Sequence, residues 1–155
     1  MKTISGVLPT INFYSVSDDY GEFSNFAPYS IRVDGELWPT TEHYFQAQKF
    51  DDVAYRQKIR KAANPFETAR LGRNRKVKLR RDWESVKVNV MHSALRAKFS
   101  QYSVLRELLL GTGDARLVEH TENDSCWGDG GNGKGRNMLG QLLMRIRAEL
   151  REASV

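Results

Sequence analysis

The chain has 155 residues, of which 40% are hydrophobic and 28% are charged, with a net charge of +5 and a pI of about 9.4. This composition predicts one soluble globular domain over residues 1–155, with a core over about 11–150. No run of about 20 apolar residues exists, so a membrane-spanning helix is not expected. The single Cys126 excludes an internal disulfide and residues 1–6 lack a signal-peptide core, so a cytoplasmic location is expected.

The positive charge is concentrated in one segment. Residues 70–81 contain seven cations and no acid. Such a run is typical of a solvated basic face, and it is also typical of a track for a nucleic-acid backbone. The overall charge favours an anionic partner, either a phosphorylated metabolite or nucleic acid.

In chain order, β-forming residues predict a first strand at 11–14, and Asp34-Gly35 predicts a hairpin between 30–33 and 36–38. Capping residues and apolar periodicity predict helices at 41–50, 53–62, 65–71, 83–99, 102–110 and 139–150. A late strand is predicted at 116–120. Short strands that cluster early, with one late, predict an α+β fold: a mostly helical single domain with a small sheet.

The helix predicted at 41–50 opens at Thr40 or Thr41 and has a poor apolar stripe. Glu42, Gln46 and Lys49 follow one another at i, i+4 and i+7 and therefore share one face. A carboxylate in the first turn is stabilised by the helix dipole, which favours an ionised Glu42. A first-turn acid is also common in helices without a function, so both interpretations remain open.

Residues 127–137 form a glycine-rich loop that leads into the last amphipathic helix. Glycine permits positive φ and a close ligand, and N–H groups at a helix start suit a phosphate. The G-x-x-x-x-G-K pattern fails because Gly135 stands where a P-loop has Ser or Thr. The G-x-G-x-x-G pattern fails because no strand precedes it. We therefore expect an anion-binding loop of neither type.

Other reaction types find little support in the residue pattern. The three histidines show no metal-ligand spacing, Cys126 has no local base, and no G-x-S-x-G elbow exists. What remains is Glu42 and Asp129 together with aromatic and cationic residues. Aromatic rings stack on a base, cations bind phosphate, and carboxylates act on water or an oxocarbenium ion. These residue types suit a planar phosphorylated substrate, with no metal and no cofactor.

Several stretches resemble the YbiA-like, or NADAR, family: 11–14, 23–26, 38–50, 118–123, 127–130 and 133–140. The resemblance covers residues 11–147 and implies a YbiA-like α+β fold. It also implies an N-glycosidase that hydrolyses phosphoribosylamino-pyrimidine intermediates of riboflavin biosynthesis. Other members act on ADP-ribose attached to guanine bases in nucleic acid, which is the alternative activity. A non-catalytic module that binds nucleic acid or ADP-ribose is the alternative of another class.

The family motifs fall on particular residues of this chain. The motif glutamate is Glu42, and the Trp-Gly-Asp motif ends at Asp129, so these two carboxylates are the predicted catalytic residues. The predicted substrate-binding residues are Asn25, Phe26, Trp38, His43, Tyr44, Gln46, Lys49, Arg73, Asn123, Trp127, Gly128, Lys134, Arg136 and Asn137. The predicted partner is a small nucleotide-like phosphate, with nucleic acid along 70–81 as the alternative, and the oligomeric state is not predicted.

Overall fold

A computed structural model of the chain describes residues 8–153. The segment considered for a signal peptide, residues 1–6, lies outside this part. The described residues form four strands, β1 (Thr10–Phe13), β2 (Ile31–Val33), β3 (Glu36–Trp38) and β4 (Arg116–Glu119). They also form six helices, α1 (Thr41–Ala47), α2 (Val53–Arg60), α3 (Pro65–Gly72), α4 (Trp83–Gln101), α5 (Ser103–Gly111) and α6 (Met138–Ala153). The predicted α+β, mostly helical fold class is confirmed, whereas the single domain over 1–155 stays a prediction.

The strands form two pairs. Strand β1 runs parallel to β4, with Thr10 opposite Arg116 and Phe13 opposite Glu119. Strands β2 and β3 are antiparallel, and the two residues between them, Asp34 and Gly35, have φ values of 52° and 81°. Two consecutive positive φ angles are what a two-residue type I′ turn requires, so the predicted hairpin is confirmed.

The chain groups into two compact units. Residues 25–101 form what we call the central unit, in which α1 contacts α2, α3 and α4. Its core is an apolar cluster contributed by the hairpin and all four helices. The buried members of this cluster are Ile31, Trp38, Tyr44, Ala47, Phe50, Tyr55, Ile59, Leu71 and Ala94.

The described residues on either side, 8–24 and 102–153, form the flanking unit. Here β4 packs against β1 and α6, and α5 packs against α6. The buried Arg147 is satisfied within this unit, because its Nη1 donates to the Thr112 hydroxyl at 2.8 Å and to the Ala115 carbonyl at 2.9 Å. No helix within 8–153 is long and apolar enough to cross a membrane.

Helix α1 ends at Ala47, so the prediction that it continues to residue 50 is wrong. The reason is pairing with a distant segment. Phe50 forms an isolated antiparallel bridge with Leu79, and the Arg80 N–H donates to the Lys49 carbonyl at 2.8 Å. Lys49 and Phe50 therefore hydrogen-bond across to residues 79–80 and leave the helical path.

Candidate functional site

Helix α1 places the predicted catalytic glutamate inside the central unit. Thr40 caps the helix, because its Oγ1 accepts the His43 backbone N–H at 3.1 Å. All seven residues of α1 are buried, although several of them are polar. Burying polar groups costs free energy unless they are hydrogen-bonded, so their partners show how the helix is held.

Glu42 is 8% exposed and is held at both its side chain and its backbone. Its Oε2 accepts a hydrogen bond from Gln46 Nε2 at 2.8 Å. Its N–H donates to the Asn25 carbonyl at 3.3 Å, and the neighbouring Thr41 hydroxyl donates to Asn25 Oδ1 at 2.7 Å. Three predicted residues, Asn25, Glu42 and Gln46, are therefore brought together. Within the described residues, Gln46 Oε1 is buried and has no hydrogen-bond partner.

A group of cations lies near this carboxylate. Burial lowers the pKa of Lys49, and the nearby positive charges of Arg75, Arg73 and Lys87 lower it further, while the charge of Glu42 acts in the opposite direction. Lys49 and Arg73 were predicted from the sequence. Arg75 and Lys87 were not, because only the tertiary fold brings them near α1. Together these cations form an electropositive region beside Glu42.

An aromatic pair lies near the start of α1 in the chain. Phe26, predicted to stack on a base, contacts Phe66 edge to face with ring centroids 4.9 Å apart. Phe66 follows Pro65 in the first turn of α3 and is 73% exposed. A large aromatic ring exposed in this way is unusual and offers a stacking surface. The sequence analysis did not select Phe66, and no local pattern marks it.

Three other predicted binding residues of the central unit have structural contacts. Trp38 is buried and meets Tyr44 edge to face at 5.5 Å in the core. Both ring nitrogens of His43 are used, Nδ1 with the Thr40 hydroxyl at 2.8 Å and Nε2 with the Ala62 carbonyl at 3.1 Å. Burial lowers the pKa of His43, which favours its neutral form. Their contact with a substrate stays a prediction.

In the flanking unit, the second predicted carboxylate is fixed by three hydrogen bonds. Asp129 is 5% exposed, and its Oδ1 accepts the N–H groups of Thr121 at 3.1 Å and Gly131 at 2.9 Å. Its Oδ2 is 2.8 Å from His120 Nδ1. The hydrogen bond from His120 holds the pKa of Asp129 below its usual value, with the two backbone donors adding to the effect and burial opposing it. Asp129 is therefore an ionised, immobile anchor.

His120 was considered in the sequence only as a metal ligand, and its relation to Asp129 was missed. Its side chain is 50% exposed, and within the described part of the chain its Nε2 has no hydrogen-bond partner. His120 directly follows β4, and Tyr14 directly follows the parallel strand β1. Asn123, another predicted residue, donates from Nδ2 to the Tyr14 hydroxyl at 3.2 Å. Polar side chains thus gather at the carboxyl ends of this strand pair, where sites commonly form in parallel sheets.

The glycine-rich loop uses its backbone donors internally, so the expected anion-binding loop is wrong. At the start of α6, the N–H groups of Asn137, Met138 and Leu139 donate to carbonyls of residues 126–128 at 2.9–3.0 Å. The N–H groups of residues 129–131 and 134–136 also have oxygen acceptors inside the chain. The glycines serve a tightly folded loop, in which Gly130, Gly131 and Gly133 have positive φ.

The other predicted residues of this loop divide into two kinds. Gly128 and Asn137 are buried, and Asn137 joins the loop to β4 by accepting the Glu119 N–H and donating to the Leu117 carbonyl, both at 2.9 Å. Trp127 is half-buried, whereas the side chains of Lys134 and Arg136 are exposed. The first kind has a structural role in the loop, and substrate contact remains a prediction for all five.

The basic run at 70–81 is partly neutralised in the folded unit. Arg70 forms an ion pair with Glu67, and Arg80 forms a two-point pair with Asp82 at 2.6 and 3.0 Å. A depression of about 490 Å³ mixes acids with cations of the run and contains no predicted site residue. Its lining residues are Asp51, Asp52, Lys76, Val77, Lys78 and Arg81. Within residues 8–153, no cluster of three or more His, Cys, Asp or Glu side chains is arranged to hold a metal ion.

Comparison with known proteins agrees with this fold. The family described as the NADAR domain matches residues 12–151, and the chain therefore belongs to that family. It is 65% identical to the N-glycosidase YbiA of Shigella boydii over 140 residues, which are 90% of this chain and 88% of that protein. A riboflavin biosynthesis protein of Vibrio vulnificus is 46% identical over 92% of this chain and 39% of its own length. The NMR structure of E. coli YbiA superposes with a TM-score of 0.88, at 61% identity over 94% of this chain and 87% of that one.

Proposed function

We propose that this protein is an N-glycosidase that hydrolyses the N-glycosidic bond of phosphoribosylamino-pyrimidine intermediates of riboflavin biosynthesis. Membership of the NADAR family and similarity to proteins named N-glycosidase YbiA support the reaction class. Similarity to a protein named for riboflavin biosynthesis supports the substrate class. A cytoplasmic location is part of the same proposal.

The observation that carries the proposal is a buried carboxylate beside several cations in the central unit. As the C1′–N bond breaks, its electron pair leaves with the nitrogen, and positive charge develops at the sugar. Glu42 stabilises that charge, and a water oxygen then bonds to C1′. One proton of the water ends on the departing nitrogen, which gives a free base and ribose 5-phosphate. Lys49, Arg73 and Arg75 supply the charge that binds the phosphate.

In the flanking unit, we assign Asp129 an indirect role. With its carboxylate fully engaged, Asp129 accepts the Nδ1–H of His120 and leaves the lone pair of Nε2 available to take a proton. An aspartate that orients an imidazole in this way is a recurring device for proton transfer. His120 is the proposed proton-transfer residue, and Asp129 positions it.

A second candidate substrate is ADP-ribose attached to a base in nucleic acid, because residues 70–81 present several cations. The ion pairs of Arg70 and Arg80 and the acids at Asp51 and Asp52 weaken that run as a continuous backbone track. A small free nucleotide is therefore the preferred substrate.

The test is incubation with a phosphoribosylamino-pyrimidine followed by chromatographic measurement of ribose 5-phosphate. We expect Glu42→Gln to lower kcat by about 10²-fold or more, with little change in melting temperature, because the amide keeps the shape and loses the charge. Glu67→Gln is the matched control, since Glu67 is also a first-turn acid but is paired with Arg70. Wild-type turnover in Glu42→Gln would show that Glu42 is not catalytic.

A further inference from the structure

The side chain of Gln46 occupies the space in which residue 72 would carry a Cβ. A Cβ built on Gly72 would lie 1.9 Å from Gln46 Oε1, 2.6 Å from Cδ and 3.2 Å from Cγ. Real Cβ atoms do not approach other atoms to 1.9 Å, so this position of the amide requires glycine at the end of α3. The other end of the same amide donates to Glu42 Oε2 at 2.8 Å.

This arrangement carries a cost that packing alone does not explain. Gln46 is buried, and its Oε1 has no hydrogen-bond partner within the described residues. A buried acceptor without a partner is unfavourable and calls for a reason in a native structure. Gly72 is also the last residue of a helix, and its φ is not in the positive range that would itself require glycine. Alanine would be the better helix former at this position.

We propose that Gly72 is a positioning residue for the reaction, because its missing side chain lets Gln46 lie against α3 and fix the carboxylate of Glu42. This inference rests on the proposed function of Glu42. Gln46 acts on the reaction through Glu42, and Gly72 acts through Gln46. A displaced carboxylate loses catalytic efficiency steeply, since an error of about 1 Å in a reacting group can cost about 10²-fold.

The experiment compares Gly72→Ala, Gln46→Ala and the double variant by kcat, KM and melting temperature. We expect each variant to lower kcat by about 10- to 100-fold with little change in KM, and the double variant to be no worse than either single one. Gly72→Ala should keep its melting temperature, because the group that must move is the end of a flexible side chain. Gly111→Ala is the matched control: Gly111 also ends a helix, without positive φ, and a Cβ there meets nothing within 4 Å.

A second measurement does not depend on activity. In the wild-type background, Glu42→Ala and Gln46→Ala should be non-additive in melting temperature, since they share a hydrogen bond. In the Gly72→Ala background, the two changes should become additive because that bond is already lost. Additivity in both backgrounds, or wild-type kcat in Gly72→Ala, overturns the inference. If the coupling behaves as expected while Glu42→Gln keeps full turnover, the contact is real and the proposed function is what fails.

Discussion

Replacing Asp129 with Asn changes one hydrogen bond of the loop and leaves the other two possible. The Asn Oδ1 can still accept the N–H groups of Thr121 and Gly131. Its NH₂ group then faces His120 Nδ1, which must become an acceptor. The proton of the neutral imidazole therefore moves to Nε2, where it blocks the lone pair that we assign to proton transfer.

The size of each effect can be estimated from these contacts. A hydrogen bond to a charged group contributes about 1.5–3 kcal/mol and a neutral one about 0.5–1.5, so the exchange should cost about 1–2 kcal/mol of stability. For a chain of this size that corresponds to a fall in melting temperature of about 2–8 °C. The effect on kcat should be much larger, on the order of 10²–10⁴-fold, because the wrong tautomer cannot accept a proton.

Asp124→Asn is the matched control for this variant. Asp124 Oδ1 also accepts two backbone N–H groups in the same loop, those of Cys126 and Trp127 at 2.8 Å, but the contacts of its side chain include no histidine. Ribose 5-phosphate release and thermal unfolding should be measured for both variants. Added imidazole should partly restore turnover to His120→Gly. If Asp129→Asn keeps kcat within about threefold of wild type, His120 is a structural partner of the loop and our reasoning is refuted.

The same variant has a distinct pH dependence. The pKa of Asp129 is lowered in the folded protein, chiefly by the hydrogen bond from His120. The charged carboxylate therefore stabilises the fold above the unfolded-state pKa of about 3.9, and this stabilisation is lost as the pH falls through the lower folded-state value. Unfolding midpoints measured between neutral and acidic pH should fall less steeply for Asp129→Asn than for the wild type. Parallel curves would contradict the assignment.

Two further predictions concern the loop and the basic run. Gly131→Ala should lower both melting temperature and kcat, because at φ +82° its Cβ would lie 2.9 Å from Glu122 Cβ and disturb the N–H bonded to Asp129. Gly133→Ala, at φ +78° with nothing within 4 Å, should cost about 1 kcal/mol in unfolding and leave kcat unchanged; equal effects on kcat would count against the role of Asp129. Changing three cations of the run to Ser should leave kcat/KM on the free nucleotide within a few-fold, whereas heavy loss on ADP-ribosylated DNA alone would favour the nucleic-acid substrate. These three are Lys76, Lys78 and Arg81.

Local signals in the sequence were enough to place most elements of this fold. The hairpin at Asp34-Gly35 and the caps at Thr40 and Asn64 were predicted because each depends on residues only two or three positions apart. The apolar stripe of α6 was equally readable, and its buried residues match the prediction. The face shared by Glu42 and Gln46 also follows from helical spacing, and the hydrogen bond between them agrees with it.

The tertiary structure decided the surroundings of those residues. The burial of all of α1, the cations around Lys49 and the space at Gly72 depend on side chains from separate helices that meet only after folding. The glycine pattern suggested an anion site, but the backbone donors are used by carbonyls of the same loop. His120 and Asp129 pair because the loop after β4 folds back on itself, and no spacing rule relates them. The sequence by itself therefore determined the elements and the candidate carboxylates, whereas long-range packing determined which groups hold each carboxylate and which of its oxygens they engage.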